Sequence, residues 1–204
     1  MLTLDRICDE TQVFVPCDYR VKWADGAWER EEARKLRRAV FCIEQGVFAG
    51  DDTDVIDAHA QPLVAVSQVG GQPDQVVGTV RIHTSPDGEE PGLWWGSRLA
   101  VHPAFRQQGK LGATLIRLAV SSAHARGASV FLAHVQGQNV PLFRRLHWRL
   151  LKEETLHGRP HALMQADLGH YPPCHDPLWG YSTQSAPTRR PGARRDATGG
   201  AGVG

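Results

Sequence analysis

The segment from Arg98 to Ile116 holds the residues best suited to chemistry. A short apolar strand, Arg98-Leu-Ala-Val101, leads through a basic turn, Arg106-Gln-Gln-Gly-Lys110, into a run of helical spacing that opens at Leu111. The first N–H groups of such a helix have no intrahelical partner, and here they fall beside Arg106 and Lys110. That arrangement receives an anionic group such as a pyrophosphate. Glu44, His134 and His83 are the candidate proton acceptors. His134 shares a strand face with Val130 and Leu132, and His83 shares one with Val77, Thr79 and Arg81.

Metal chemistry fits less well. Asp52-x-Asp54 hints at a calcium loop, but the turn glycine and the closing glutamate are missing. Asp51, Asp52, Asp54 and Asp57 therefore read as a solvated acidic loop. Cys174-His175-Asp176 cannot easily turn three adjacent side chains toward one ion, so no metal is assigned. Cys8, Cys17, Cys42 and Cys174 lack C-x-x-C spacing, and reduced thiols are expected.

Length and charge set the bounds. With 204 residues, 41% of them hydrophobic, the chain suits one domain and a tail. Lys and Arg number 23 against 22 for Asp and Glu, so nothing global attracts a nucleic acid or an anionic membrane. The first ten residues lack the pattern of a secretory leader, and a cytoplasmic location is expected. A homodimer is left open.

The elements that must position these residues follow from periodicity. A strand at Tyr19–Trp23 precedes a helix capped by Asp25, whose packed face is Leu36, Ala39, Val40 and Ile43; Glu29 and Arg37 fall on its solvated side. Three strands follow, Leu63–Val69, Gln75–His83 and Leu93–Val101. A central helix runs from Leu111 to a stop at Gly127, with Leu111, Leu115, Leu118, Ala119 and Ser122 inward and Arg117, Ser121 and His124 outward. Then come a strand at Ala128–Val135, a short helix at Asn139–Leu146, and a hairpin of Arg149–Leu156 with Pro160–Leu168. This order predicts an α/β fold with a mixed, mostly antiparallel sheet flanked by helices. Residues 1–18 form an N-terminal extension, 19–168 the domain, and 169–204 a tail expected to be disordered.

Leu99-Ala-Val-His-Pro-Ala-Phe-Arg106 running into Gln-Gln-Gly-Lys-Leu-Gly112 resembles the acyl-coenzyme-A motif of the GNAT N-acetyltransferases, [Gln/Arg]-x-x-Gly-x-[Gly/Ala]. Neither register is complete: Arg106-x-x-Gly109-x-Leu111 departs at its end and Gln107-x-x-Lys110-x-Gly112 in its middle, as though the loop carried one extra residue. Arg37-x-x-Val-Phe-x-x-Glu44-Gln45 is similar to a signature of some GNAT branches and of acyl-homoserine-lactone synthases. Gln138-Asn139 through Trp148 resembles the superfamily's Asn-containing turn and helix. With His157-Gly-Arg-Pro-His161 and Tyr171-Pro-Pro, the set resembles N-acetyltransferases encoded beside nitrilase and radical-SAM genes in nitrogen-starvation clusters.

The resemblance implies the acyl-CoA N-acyltransferase fold, with acetyl-CoA as co-substrate and a small amine as acceptor. It places the donor on Leu99, Val101, Arg106, Gln107, Gly109, Lys110, Leu111, Gly112, Asn139 and Phe143. It also implies direct attack of the amine in a ternary complex. Trp95 stands where the family commonly has a catalytic Glu, and Phe143 where it has an acidic Tyr. A lysine-like amine gives up its proton at roughly 4–5 kcal/mol near neutral pH, so a substitute base is required. Glu44, His134 and His83 are the candidates. Two other readings are a non-catalytic acyl-CoA-binding module and a transferase using a longer acyl donor.

Overall fold

The computed structural model describes residues 16–84 and 90–185. Eight strands form one sheet: β1 (Asp18–Trp23), β2 (Gln61–Val69), β3 (Gln72–Thr84), β4 (Leu93–Val101), β5 (Val130–Gln136), β6 (Trp148–Leu156), β7 (Arg159–Ala166) and β8 (Tyr181–Gln184). Their spatial order is β6-β7-β5-β4-β3-β2-β1-β8. Only β4 and β5 run parallel, because helix α2 (Leu111–His124) crosses over between them; the other neighbours are antiparallel. The mixed α/β architecture expected from the sequence is the one observed.

Each face of the sheet has its own apolar cover. Leu111, Leu115 and Leu118 of α2 pack on Val21, Leu63, Val77 and Ile82. On the opposite face, Leu36 and Val40 pack against Val64, Val66 and Ala100. Leu36 belongs to helix α1 (Ala27–Arg38), whose N-cap is Gly26 rather than the expected Asp25. The Glu29 carboxylate reaches back to accept from the Asp25 and Gly26 amides, at 3.0 and 3.4 Å, so a side chain from inside the helix does the capping.

The expected packed face of this helix is also corrected. After Arg38 the backbone widens into a π-helical turn, Ala39–Glu44, which shifts the angular phase of everything that follows. Val40 and Phe41 point inward, Ile43 is 77% exposed and Ala39 is exposed. Arg37 and Glu29, expected in solvent, are buried. Ser121 is buried too, since a later segment lies along α2: the Cys174 amide donates to the Ser121 carbonyl at 2.9 Å. Helix α3 (Val140–Arg145) and the β6–β7 hairpin, turning at His157-Gly158, fall where expected.

The tail expected from residue 169 onward has structure in its first part. Tyr171 is 3% exposed, and its hydroxyl accepts from Trp148 Nε1 at 2.9 Å. Burial pushes its pKa up to about 12. Tyr181–Gln184 then pairs antiparallel with β1, so the sheet has one more strand than the sequence suggested. The remaining expectations for the two ends, at 1–15 and 186–204, lie outside the described residues. No helix among the described residues is long and apolar enough to cross a membrane.

Strand β8 hinges on Gly180, at φ +62, where a Cβ would stand 2.0 Å from the Val21 carbonyl oxygen. Gly180→Ala should therefore cost about 2 kcal/mol or more and lower Tm by about 4–8 °C. Thermal unfolding checks this, and an unchanged Tm would mean that the β1–β8 pairing adds nothing to stability.

Candidate active site

The site is built where β4 and β5 part. Their pairing runs only from Leu93 opposite Val130 to Gly96 opposite Ala133, although β4 continues to Val101 and β5 to Gln136. A cavity of about 460 Å³ opens at this divergence. Its inner wall is apolar, with Ile116, Ala119, Phe131, Phe143 and Trp148. Its outer wall carries Gln45, Phe48, Trp95, His83, His134, His157 and His161.

A bulge shapes β4 at this point. Arg81 pairs with Ser97 but Thr79 with Ala100, so β4 carries an extra residue there, and Arg98 sits at φ +55. A left-handed arginine costs roughly 1–2 kcal/mol and needs external support. The acidic loop supplies it. Arg98 Nε reaches Asp52 Oδ2 at 2.9 Å and Nη2 reaches Asp54 Oδ2 at 3.1 Å, while Phe48 lies under the guanidinium at 4.4 Å.

The loop expected to be solvated is thus an ion lattice. Arg37 binds Asp52 at 2.8 Å and Asp57 at 2.5 Å, and Arg81 binds both oxygens of Asp54 at 2.7 and 2.6 Å. Three guanidinium groups meet three carboxylates, so the lattice is neutral, and Asp52 is 2% exposed. Burial raises the carboxyl pKa of Asp54 and Asp57, but hydrogen bonds from Arg81 and Arg37 outweigh it, and both end below the ordinary carboxylate range. Among the described residues no cluster of three or more His, Cys, Asp or Glu is placed to hold a metal ion.

The three candidate proton acceptors end up in different settings. Glu44 is not among the residues lining the cavity; both its oxygens take Arg106, at 2.8 and 2.6 Å. That hydrogen bonding lowers the Glu44 pKa. His83 lines the cavity at 8% exposure with Nδ1 2.9 Å from the Thr84 carbonyl, and burial lowers its pKa. His134 lines the cavity with Nδ1 hydrogen-bonded to Glu154, and its ring stacks on Trp95 at 5.3 Å. Glu154 is a functional candidate that sequence reasoning missed. It sits in a charged run, Lys152-Glu-Glu154, with nothing local to single it out.

The expected donor residues split into two groups. Leu99, Asn139 and Phe143 line the cavity. Arg106, Gln107, Gly109, Lys110, Leu111 and Gly112 form the turn into α2, with Gly109 at φ +54 and Lys110 at φ +50. The first helical amide satisfied within the helix is that of Thr114, on the Lys110 carbonyl at 3.0 Å, so those of Gly112 and Ala113 precede it. Val101 packs beside this helix start, and its carbonyl accepts from Arg106 Nε at 3.1 Å. Leu111 is buried, so only its backbone faces the turn.

The family model for the acetyltransferase (GNAT) family matches residues 18–148, which include the turn and most of the cavity wall, with Leu156, His157 and His161 beyond it. The chain belongs to the GNAT family. Its fold neighbours agree. A Lactobacillus plantarum protein assigned as an N-acetyltransferase aligns at TM-score 0.62 and 23% identity, covering 72% of this chain and 97% of its own. Escherichia coli ElaA aligns at 0.60 and 17%, covering 73% and 98%. A Pseudomonas aeruginosa acyl-CoA N-acyltransferase aligns at 0.57 and 19%, covering 72% and 98%. At these identities the neighbours establish the fold alone. No curated protein matches the chain by sequence.

Two measurements test the lattice. Arg37→Ala leaves Arg81 and Arg98 to balance three carboxylates, one negative charge in excess beside the buried Asp52, and should cost about 3–5 kcal/mol in denaturant unfolding. The pH dependence has a definite sign. A carboxyl whose pKa is lowered on folding stabilises above its unfolded value and loses that stabilisation as pH falls through the folded one. Tm should fall gently below about pH 6.5, where His83 protonates more readily in the unfolded chain, and more steeply below about 4.5 as the carboxylates titrate, and Asp57→Asn should flatten that lower acid limb. An acid limb identical to wild type would remove Asp57 from the account.

Proposed function

We propose that this GNAT-family protein is an acyl-CoA-dependent N-acyltransferase that moves an acyl group, acetyl in the simplest case, onto a small amine. One observation carries the reading: the divergence of β4 and β5 opens a cavity lined by His134, whose ring is bonded to the Glu154 carboxylate, and the same strand β4 leads through the turn into the start of α2. An acyl-CoA diphosphate would be received by the turn around Gly109–Gly112, and Lys110 adds a charge-assisted contact. Arg106 is held by Glu44 and acts by bracing the turn.

The acceptor enters from the outer wall. His134 accepts the amine proton, and Glu154, bonded to Nδ1, leaves Nε2 as the accepting nitrogen. His83 is nearly buried with one nitrogen engaged, so it ranks second. Attack is direct, in a ternary complex, and the departing CoA thiol ionises readily enough to leave as thiolate. Backbone N–H groups freed by the β4 bulge are the source of oxyanion stabilisation. An acceptor from nitrogen metabolism is the finer part of this reading, and it rests on the sequence resemblance.

A second reading, a longer acyl donor, is favoured by the apolar inner wall. About 460 Å³ bounded by Ile116, Phe131, Phe143 and Trp148 exceeds what an acetyl group fills. Turnover along a series from acetyl- to octanoyl-CoA discriminates the two. A maximum at acetyl favours the first reading, and a rise with chain length favours the second.

Substitutions test the site. Gly112→Asp meets open space, with Val101 Cγ2 at 3.9 Å, so the protein should fold while calorimetric CoA affinity disappears. Unchanged affinity would place the donor elsewhere. His134→Ala should lower kcat by about 10²–10⁴-fold with CoA affinity intact. Full activity in that variant would remove His134 as the base, and CoA binding without thiol release for any amine would favour a non-catalytic module.

A further inference from the structure

The strand that closes the sheet reaches the turn to which an acyl-CoA diphosphate is assigned above. The family match ends at residue 148, well before β8. Yet Thr183 of β8 donates its hydroxyl to the Gly109 carbonyl at 2.7 Å. The contact falls on the most constrained point of the turn, where Gly109 and Lys110 are consecutive left-handed residues. For Lys110 that conformation is unfavourable by itself and persists only where surroundings hold it.

The surroundings are specific. The Tyr19 ring lies so close to Gly109 that a Cβ there would stand 3.0 Å from its Cδ2. Tyr19 is 1% exposed, and its hydroxyl donates to the Pro16 carbonyl and accepts from Ser185 at 3.3 Å. The strand is fixed as well. Four register pairs join β8 to β1, the Ser185 amide donates to the Cys17 carbonyl at 2.8 Å, and Arg20 stacks on Trp179 at 4.3 Å.

A trans peptide is planar, with its C=O and N–H pointing in opposite directions. A hydroxyl that holds the Gly109 carbonyl therefore turns the Lys110 N–H away from β8. We propose that Thr183 is a positioning residue of the donor site, fixing the Gly109–Lys110 peptide so that its amide is presented to the donor's diphosphate. This rests on the donor reading given under Proposed function. It extends the site to a C-terminal strand outside the matched family region.

The test is calorimetric titration of the full-length protein with coenzyme A. Thr183→Val should weaken CoA binding by about tenfold, the scale of one well-placed neutral hydrogen bond. Thr183→Ser should restore it. Saturating the donor should return kcat to the wild-type value, because nothing at His134 has changed. Gln184→Ala is the control: it removes a bond from β8 to Asp18 of β1, at 2.7 Å, without touching the turn, and should leave CoA affinity unchanged. Wild-type affinity in Thr183→Val, or equal weakening in Gln184→Ala, overturns the proposal. Wild-type protein that binds no CoA overturns the donor reading itself, which is a separate outcome.

Discussion

Two parallel strands that pair over only four residues and then separate leave backbone groups without ladder partners, and those groups must be answered by something else. This separation of β4 from β5 is the constraint from which the rest of the molecule follows. On one side α2 fills the space beneath the gap with Leu115, Ile116 and Ala119. On the other the gap stays open, and the cavity is the space that neither helix covers.

Keeping β4 bent requires a fixed support. The bulge at Arg98 cannot be stabilised by the sheet it interrupts, so it is tied to the acidic loop through Asp52 and Asp54. Arg37 and Arg81 complete the charges, and every buried ion has an opposite neighbour. Such a neutral lattice adds little net stability compared with an apolar core, but it is intolerant of losing one member. Its value is geometric. It links the end of α1, the loop and two strands, so the outer wall of the cavity holds one shape.

Much of this could be read from residue order. Strand alternation, the apolar stripe of α2 and the His157-Gly158 turn are local signals, and they placed the sheet, the crossover and the hairpin. The turn into α2 was legible for the same reason, since its residues are consecutive in the chain. What escaped was non-local. Arg37 meets Asp52 and Asp57 across 15 and 20 positions, and Arg98 meets Asp52 across 46, so neither side of the lattice announces its partner. The π-turn after Arg38 slips the helical phase by less than a residue, enough to send Ile43 outward, while Arg37, ahead of the turn, is buried against Asp52 and Asp57. Glu154 reaches His134 only after the hairpin folds beside β5. Tyr181–Gln184 is polar and short, and it becomes a strand only because β1 offers it an edge.

That last strand has a bearing on assembly. A sheet margin with free amides and carbonyls is a template for another chain, and β1 would have been one. The chain's own C-terminal segment takes that place, which leaves the four-residue β8 and, at the other end of the sheet, β6 as the margins among the described residues. Arg149, Lys152 and Glu153 are exposed on β6, and such charges discourage edge-to-edge growth. A strand arriving from another chain would find only a short partner at one margin and exposed charges at the other.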